Sequence, residues 1–280
     1  MLLLFLVFGI LIGSVARISF PNITYNSPYA INFILGLFSL ACLFPITITA
    51  SQCLLREKEY RFEQILYSTP ITTGKYFISK FLLVFGIAVL SFLIFLSGFI
   101  SGHLMRMDSS ELWGAFHISY YIHSFLIIVI PNIFLCSVIV SCTAWLSKNK
   151  FAVYLSGLGI YVVYMVVSIY SNSPLMAGAS PVSESAMQLA AKTDPFGMAA
   201  FFEQTNHWTS SERNSVLLKL SGNVLFNRVS VIMFSSVLLF ISFKIFRFKV
   251  TDRNRKISVH HLNTGIRNFS YVKTETNTSG

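Results

Sequence analysis

Apolar residues in this chain are gathered into six long runs separated by shorter polar segments. A helix needs about 20 apolar residues to cross about 30 Å of hydrocarbon, and each run approaches or exceeds that length. The pattern therefore predicts an all-α polytopic membrane protein with six transmembrane helices. The runs cover residues 2–18, 31–55, 76–100, 122–146, 151–171 and 229–246.

The first run begins at Met1 without a preceding positive segment. Three interpretations remain open. It is a true first span, or a cleaved signal peptide with Ser14 and Ala16 in the small-residue positions of the cleavage site, or the start of a chain truncated from a longer protein. Within later runs, Pro45 and Pro131 each remove a backbone hydrogen bond and predict a kink, either static or a hinge.

Composition supports the membrane class, because the chain is 54% hydrophobic and 11% charged whereas soluble domains carry about 25% charged residues. The net charge of +10 follows from topology rather than from nucleic-acid binding, since 15 of the 21 Lys and Arg residues fall on one side of the predicted spans. By the positive-inside rule, both termini are cytoplasmic. No charged residue lies in the middle of a run, so an energy source outside this chain is expected.

The segment 56–80, REKEYRFEQILYSTPITTGKYFISK, lies between the second and third runs on the basic side. Its first half has helical periodicity, with Phe62, Ile65 and Leu66 on one face. Pro70 ends this helix, and Thr72 or Thr73 is placed to cap the next one. The pattern predicts a short amphipathic cytoplasmic helix, either lying on lipid head groups or docking a soluble partner.

The loop 172–228 is predicted to be extracytoplasmic and helical. Asp194-Pro195 has the form of a helix start at Phe196, and Thr209 to Glu212 forms a capping box for a helix that is expected to stop at Gly222. Both small helices are expected on the outer surface of the bundle. The basic, polar tail 250–280 has no apolar periodicity.

Histidines and acidic residues offer no metal motif in the sequence. His103 and His123 lie near the ends of apolar runs and are expected at the membrane interface. His207, Asp194 and Glu203 are close in sequence, but their spacing matches no metal-binding motif. They are expected at the protein surface.

Five motifs, taken in order, resemble a known family. The chain is similar over residues 1–249 to the six-helix transmembrane domain of type-2 ABC transporter permeases, and especially to bacterial permeases fused to zinc aminopeptidases of the M1 type. The motifs are NSPYA at 26–30, the run REKEYRFEQILYSTPITTGKYFISKF at 56–81, DPFG at 194–197, WTSSERN at 208–214 and NR at 227–228.

The resemblance implies that segment 56–80 forms the coupling helix that meets a separate ATPase subunit. The implied coupling residues are Arg56, Glu57, Arg61, Phe62, Ile65, Leu66 and Pro70. It also implies a bacterial inner-membrane location, ABC ATPase partners that hold the ATP and magnesium, and a second permease half in a homodimer or heterodimer. Membrane lipid is the other expected partner, and nucleic acid is not expected.

Two departures from the family limit what the chain itself does. The cytoplasmic lead-in helix usual in such permeases is missing, which favours a truncated N-terminus, and no HExxH motif is present to bind a peptidase zinc ion. Gly74-Lys75 lacks the preceding glycine of a P-loop, so the chain is expected to be neither an enzyme nor a cofactor binder.

Two rivals come from other classes of protein. The first is a membrane anchor or assembly factor without transport activity, whose loop 172–228 binds a partner protein. The second is an intramembrane enzyme, which would need polar catalytic groups at bilayer depth, and the lack of central charges counts against it.

Overall fold

A computed structural model describes residues 1–15, 22–60, 72–106, 112–170 and 183–246. This described part is 82% helix and has no strand, which confirms the all-α class. The helices are α1 (Leu2–Val15), α2 (Pro28–Ser39), α3 (Leu43–Cys53), α4 (Arg56–Glu59), α5 (Thr73–Leu104), α6 (Ile118–Ser124), α7 (Ile130–Ser147), α8 (Lys150–Tyr170), α9 (Glu184–Thr193), α10 (Met198–Thr205), α11 (Ser210–Ser215) and α12 (Gly222–Ile245).

Four helical stretches in the described ranges are long and apolar enough to cross a membrane: Pro28–Cys53, Thr73–Leu104, Ile118–Ser147 and Gly222–Ile245. They correspond to the second, third, fourth and sixth predicted runs. The first and fifth runs form shorter apolar helices, α1 and the segment Lys150–Val166 of α8. An integral membrane protein is therefore supported by four spans, and spans one and five remain predictions.

Helix α7 lies at the centre of the bundle and packs against α3, α5, α8 and α12. Its side chains Ile133, Val138, Val140 and Ala144 are fully buried. The fourth apolar run is therefore long enough to span a membrane and also supplies the common surface on which the other helices pack.

The two prolines distort their helices as the sequence predicts. A 3₁₀ turn at Leu40–Cys42 precedes Pro45, and a π-helical turn at Phe125–Val129 precedes Pro131. Each irregular turn contains the residue four positions before the proline. The carbonyl oxygen of that residue accepts no hydrogen bond from the proline, because proline has no N–H.

Helices α1 and α5 approach each other through facing glycines. A Cβ atom at Gly9 or Gly13 would collide with the carbonyl oxygen of Phe95 or Phe99, and a Cβ at Gly98 or Gly102 would collide with a carbonyl of α1. Both pairs have the small-xxx-small spacing that allows close backbone contact between membrane helices. This packing makes α1 a component of the helical core.

We expect Gly98→Ala to destabilise the protein by about 1–3 kcal/mol, because the added methyl group forces α1 and α5 apart. The matched control is Gly86→Ala in the same helix, where a Cβ would meet nothing within 4 Å. The measurement is the thermal unfolding midpoint in detergent. Equal midpoints for the two variants would show that the glycine contact contributes nothing.

Between α8 and α12 the described chain forms a three-helix outer segment, α9, α10 and α11. Helix α10 is closely packed, since Met198 and Phe201 are each 1% exposed. They form a second apolar cluster with Ile23, Tyr29 and Ile128. The segment therefore packs onto the bundle through its own core.

The helix predicted to follow Thr209 starts as expected but ends earlier. The capping box at Thr209 and Glu212 is present, but its helix ends at Ser215 and Gly222 instead begins α12. Helix α11 buries no residue, whereas Leu218 in the extended stretch after it is 2% exposed. Burial of that leucine in the outer core outweighs continuation of the helix.

His103 and Asp194 are both buried. His103 is 2% exposed, and its Nδ1 lies 2.7 Å from the Tyr121 hydroxyl. Asp194 is buried rather than a surface residue, while His207 is exposed. In each buried case a polar partner compensates for the loss of water.

Candidate functional site

The predicted coupling segment begins where α3 ends. Leu54 and Leu55 are buried, and the chain then turns into the four-residue helix α4. Arg56 is exposed with its guanidinium carbon 5.8 Å from the centre of the Tyr60 ring. The first of the seven predicted coupling residues is therefore accessible to a partner.

Glu57 differs from Arg56, because it faces the bundle. Its carboxylate forms an ion pair with Lys80 of α5, and both side chains are largely buried. Lys80 also donates to the carbonyl of Cys53, with an Nζ to oxygen distance of 3.0 Å. Glu57 thus joins the end of α3 to the first turns of α5, the two helices that flank the segment.

A second ion pair joins the segment to α8. Lys150 Nζ lies 2.6 Å from a Glu59 carboxylate oxygen, with each side chain about half exposed. Exposed ion pairs contribute about 0–1 kcal/mol, so this link is weak. Helices α3, α5 and α8 are therefore connected at this end by one sheltered and one solvated pair.

The other five predicted coupling residues lie outside the described residues, which resume at Thr72; they are Arg61, Phe62, Ile65, Leu66 and Pro70. Thr72 is the N-cap of α5 by its extended backbone, without a side-chain cap bond. The helical face predicted for residues 62–66 consequently remains a prediction from the sequence.

A buried polar network lies at the other end of the bundle, around Arg228. The sequence places this residue in the loop before the last span, but α12 begins six residues earlier and Arg228 is 4% exposed within it. Its Nη1 donates to Oδ1 of Asn132 at 3.0 Å, and its Nε and Nη2 donate to Oδ1 of Asn227 at 3.1 and 2.6 Å. The guanidinium is held by two neutral amides.

Asn132 connects three parts of the protein. Its Oδ1 accepts from Arg228, and its Nδ2 donates to the Ser39 hydroxyl of α2 at 2.9 Å and to the carbonyl of Phe196 at 3.2 Å. It is fully buried and directly follows Pro131. One side chain therefore fixes α2, α7, α12 and the outer segment relative to one another.

Asn227 and Asp194 attach the end of α9 to α12. Asn227 Nδ2 donates to the carbonyls of Ala191 and Asp194, both at 2.8 Å. The Asp194 oxygens accept from the backbone N–H groups of Phe196 at 2.9 Å and Ala199 at 2.7 Å. Asp194 thus satisfies the free N–H groups at the start of α10, although the helix begins at Met198 rather than at Phe196.

Opposing effects act on the Asp194 carboxyl. Burial raises the pKa of this carboxyl above its ordinary value, and the backbone N–H groups of Ala199, Phe196 and Met198 together with the positive charge of Arg228 offset part of that rise. Arg228 does not lie within ion-pair distance of Asp194 in the described structure. The carboxylate is accordingly stabilised mainly by backbone dipoles.

Gly197 explains the last position of the DPFG motif. Its φ angle is +71°, and a Cβ atom there would overlap the Arg228 guanidinium. Only glycine adopts the left-handed backbone conformation without strain and also leaves room for the Arg228 guanidinium. The motifs DPFG and NR, distant in sequence, are therefore two halves of one buried contact.

Two other motifs also contact each other. The Arg213 guanidinium lies 5.0 Å from the centre of the Tyr29 ring, and Asn214 accepts from the backbone N–H of Thr24 at 2.9 Å. NSPYA and WTSSERN thus meet across the outer surface of the bundle. No group of three His, Cys, Asp or Glu residues in the described ranges is arranged to hold a metal ion.

The sequence interpretation missed Asn132. Its signal is a lone asparagine beside a proline in the middle of an apolar run, a position where an amide must find a partner. Arg228 was visible as part of the NR motif, but its burial depends on where α12 begins.

Comparisons with protein-family models, with curated proteins and with solved structures give no match. The structural class is nevertheless defined by the helices themselves: a helical integral membrane protein with a compact outer segment. Any narrower function rests on the motifs and on the contacts described above.

We expect Arg228→Gln to lower the free energy of unfolding by about 1–3 kcal/mol, because the shorter side chain leaves the buried Oδ1 acceptors of Asn132 and Asn227 without their donors. Lys219→Gln is the control, since Lys219 is exposed in the same outer region and should change stability by less than about 0.5 kcal/mol. Thermal unfolding in detergent measures both. An Arg228→Gln midpoint equal to that of the control would refute a stabilising role.

Proposed function

We propose that this chain is the permease subunit of an ATP-driven ABC transporter of the type-2 class. In this proposal a separate ATPase subunit binds segment 56–80, and ATP hydrolysis moves an unidentified substrate across the bacterial inner membrane. The transporter contains a second permease half, either a copy of this chain or a related one. Both termini are cytoplasmic.

The observation that carries the proposal is the attachment of segment 56–80 to its flanking helices. Glu57 pairs with Lys80 and Lys80 holds the carbonyl of Cys53, so a force on the segment reaches α3 and α5 together. Both helices pack directly on α7, which contains Pro131 and directly follows the π-helical turn Phe125–Val129. A partner that pushes the segment would therefore act on a distorted central helix.

The paired motifs give secondary support. All four outer motifs of the permease resemblance take part in two side-chain contacts, DPFG with NR and NSPYA with WTSSERN. They hold the outer ends of the helices together, whereas the topology predicted from the sequence puts the coupling surface on the other side of the membrane. This arrangement suits a transporter whose cytoplasmic side is driven and whose outer side is fixed.

We expect Arg61→Glu combined with Phe62→Ala to abolish binding of the ATPase subunit without loss of the permease from the membrane, because both changes alter the proposed contact face. The measurement is purification in mild detergent from native membranes, followed by mass spectrometry and an ATPase assay of the eluate. Lys148→Glu is the control, a charge change on the same predicted side but outside segment 56–80. Retention of a stimulated ATPase by the double variant would overturn the assignment of the coupling surface.

The alternative is a membrane anchor or assembly factor without transport activity. The outer segment favours it, because α10 is firmly packed and α11 buries none of its residues, which leaves α11 accessible to a partner. In the same purification, an eluate without ATPase but with extracytoplasmic proteins that are lost when α11 is altered would support the anchor and exclude the permease.

A further inference from the structure

A cleft of about 360 Å³ opens between α8 and α12. These two helices flank α7 on different sides and leave its residues Leu135 and Ile139 as the floor. The volume is within the range of small-molecule sites, about 300–1,000 Å³. The cleft is lateral rather than enclosed, since Val163 on one wall and Phe234 on the other are 61% and 60% exposed.

The upper end of the cleft is closed by the polar chain segment 192–196, which we call the roof. The roof is fixed, because Asn227 Nδ2 donates to the carbonyls of both Lys192 and Asp194. Below it the walls are almost wholly apolar. The cleft thus has an apolar body and one polar end.

The charge at the roof is positive. Lys192 is exposed, and no carboxylate in the described ranges lies within ion-pair distance of it. The Asp194 carboxyl also lines the cleft, but its oxygens are bound by backbone N–H groups and its charge is opposed by the positive charge of Arg228. One ammonium group is therefore left for an anionic ligand.

The roof is also at a suitable depth. From Ser230, which lines the cleft, α12 continues to Ile245, a length of about 23 Å at 1.5 Å per residue. The hydrocarbon layer is about 30 Å thick. A ligand head group at Lys192 would consequently lie near one membrane boundary, with its chain directed toward the bilayer centre.

We propose that this cleft binds an anionic membrane lipid, with one acyl chain between α8 and α12 and the head group paired with Lys192. By the predicted sidedness it is a lipid of the extracytoplasmic leaflet. The site does not depend on the permease assignment. A larger cleft of about 580 Å³ between α2, α3 and α8 lacks any charged lining residue and so has no basis for selecting a head group.

The test uses the purified full chain carrying Phe234→Trp and measures quenching of the new tryptophan by lipids with brominated acyl chains. Quenching of the wild-type tryptophans is subtracted. Anionic phosphatidylglycerol is compared with zwitterionic phosphatidylcholine of the same chains. We expect the anionic lipid to bind about fivefold more tightly, the factor that corresponds to about 1 kcal/mol for one basic residue near a membrane surface.

Two further variants identify the source of that preference. Lys192→Glu should remove it, whereas Lys219→Glu, the same charge change on an exposed lysine away from the cleft, should leave it unchanged. A tryptophan in the larger cleft, Leu158→Trp, should show no preference. Equal binding of the two lipids at Phe234→Trp, or a preference that survives Lys192→Glu, would overturn the proposal.

Discussion

The structure depends on the burial of one guanidinium group. Arg228 cannot lose its proton in a protein, and an unpaired charge in an apolar bundle would cost several kcal/mol. Its partners therefore have to be present and correctly placed. Asn132 and Asn227 supply the acceptors, and each then uses its own N–H groups to hold further carbonyl or hydroxyl groups. A single charge in this way positions α2, α7, α12 and the outer segment.

The two ends of the bundle are held differently. At the Arg228 end the polar groups are almost completely buried, so breaking one contact exposes several unsatisfied atoms. At the end near segment 56–80, the Glu59 and Lys150 side chains are about half exposed and their pair is weak in water. Only the Glu57 and Lys80 pair is sheltered. Motion is therefore easier to drive at the proposed partner-binding end than at the outer end.

Close backbone packing between the glycines of α1 and α5 is a third constraint on the fold. Gly9 and Gly13 of α1 meet Gly98 and Gly102 of α5 at backbone distance, where dispersion contacts replace a hydrophobic driving force that lipid does not supply. Elsewhere the helices leave lateral clefts. The α1–α5 contact is closed and holds the fold together. The cleft between α8 and α12 is open, and it is the surface proposed to bind a lipid.

The sequence by itself determined the helical class, the six apolar runs and the positions of the proline distortions, because these follow from local composition and from the missing N–H of Pro45 and Pro131. It also determined the capping box at Thr209. It did not determine that the helix after Thr209 ends at Ser215, since that depends on burial of Leu218 in a core formed by distant residues. Only the tertiary structure decided that Asp194, Gly197 and Arg228 belong to one site with Asn132. Hydrogen bonding between residues far apart in the chain leaves no periodicity in either partner, so the order of residues did not show which groups these side chains contact.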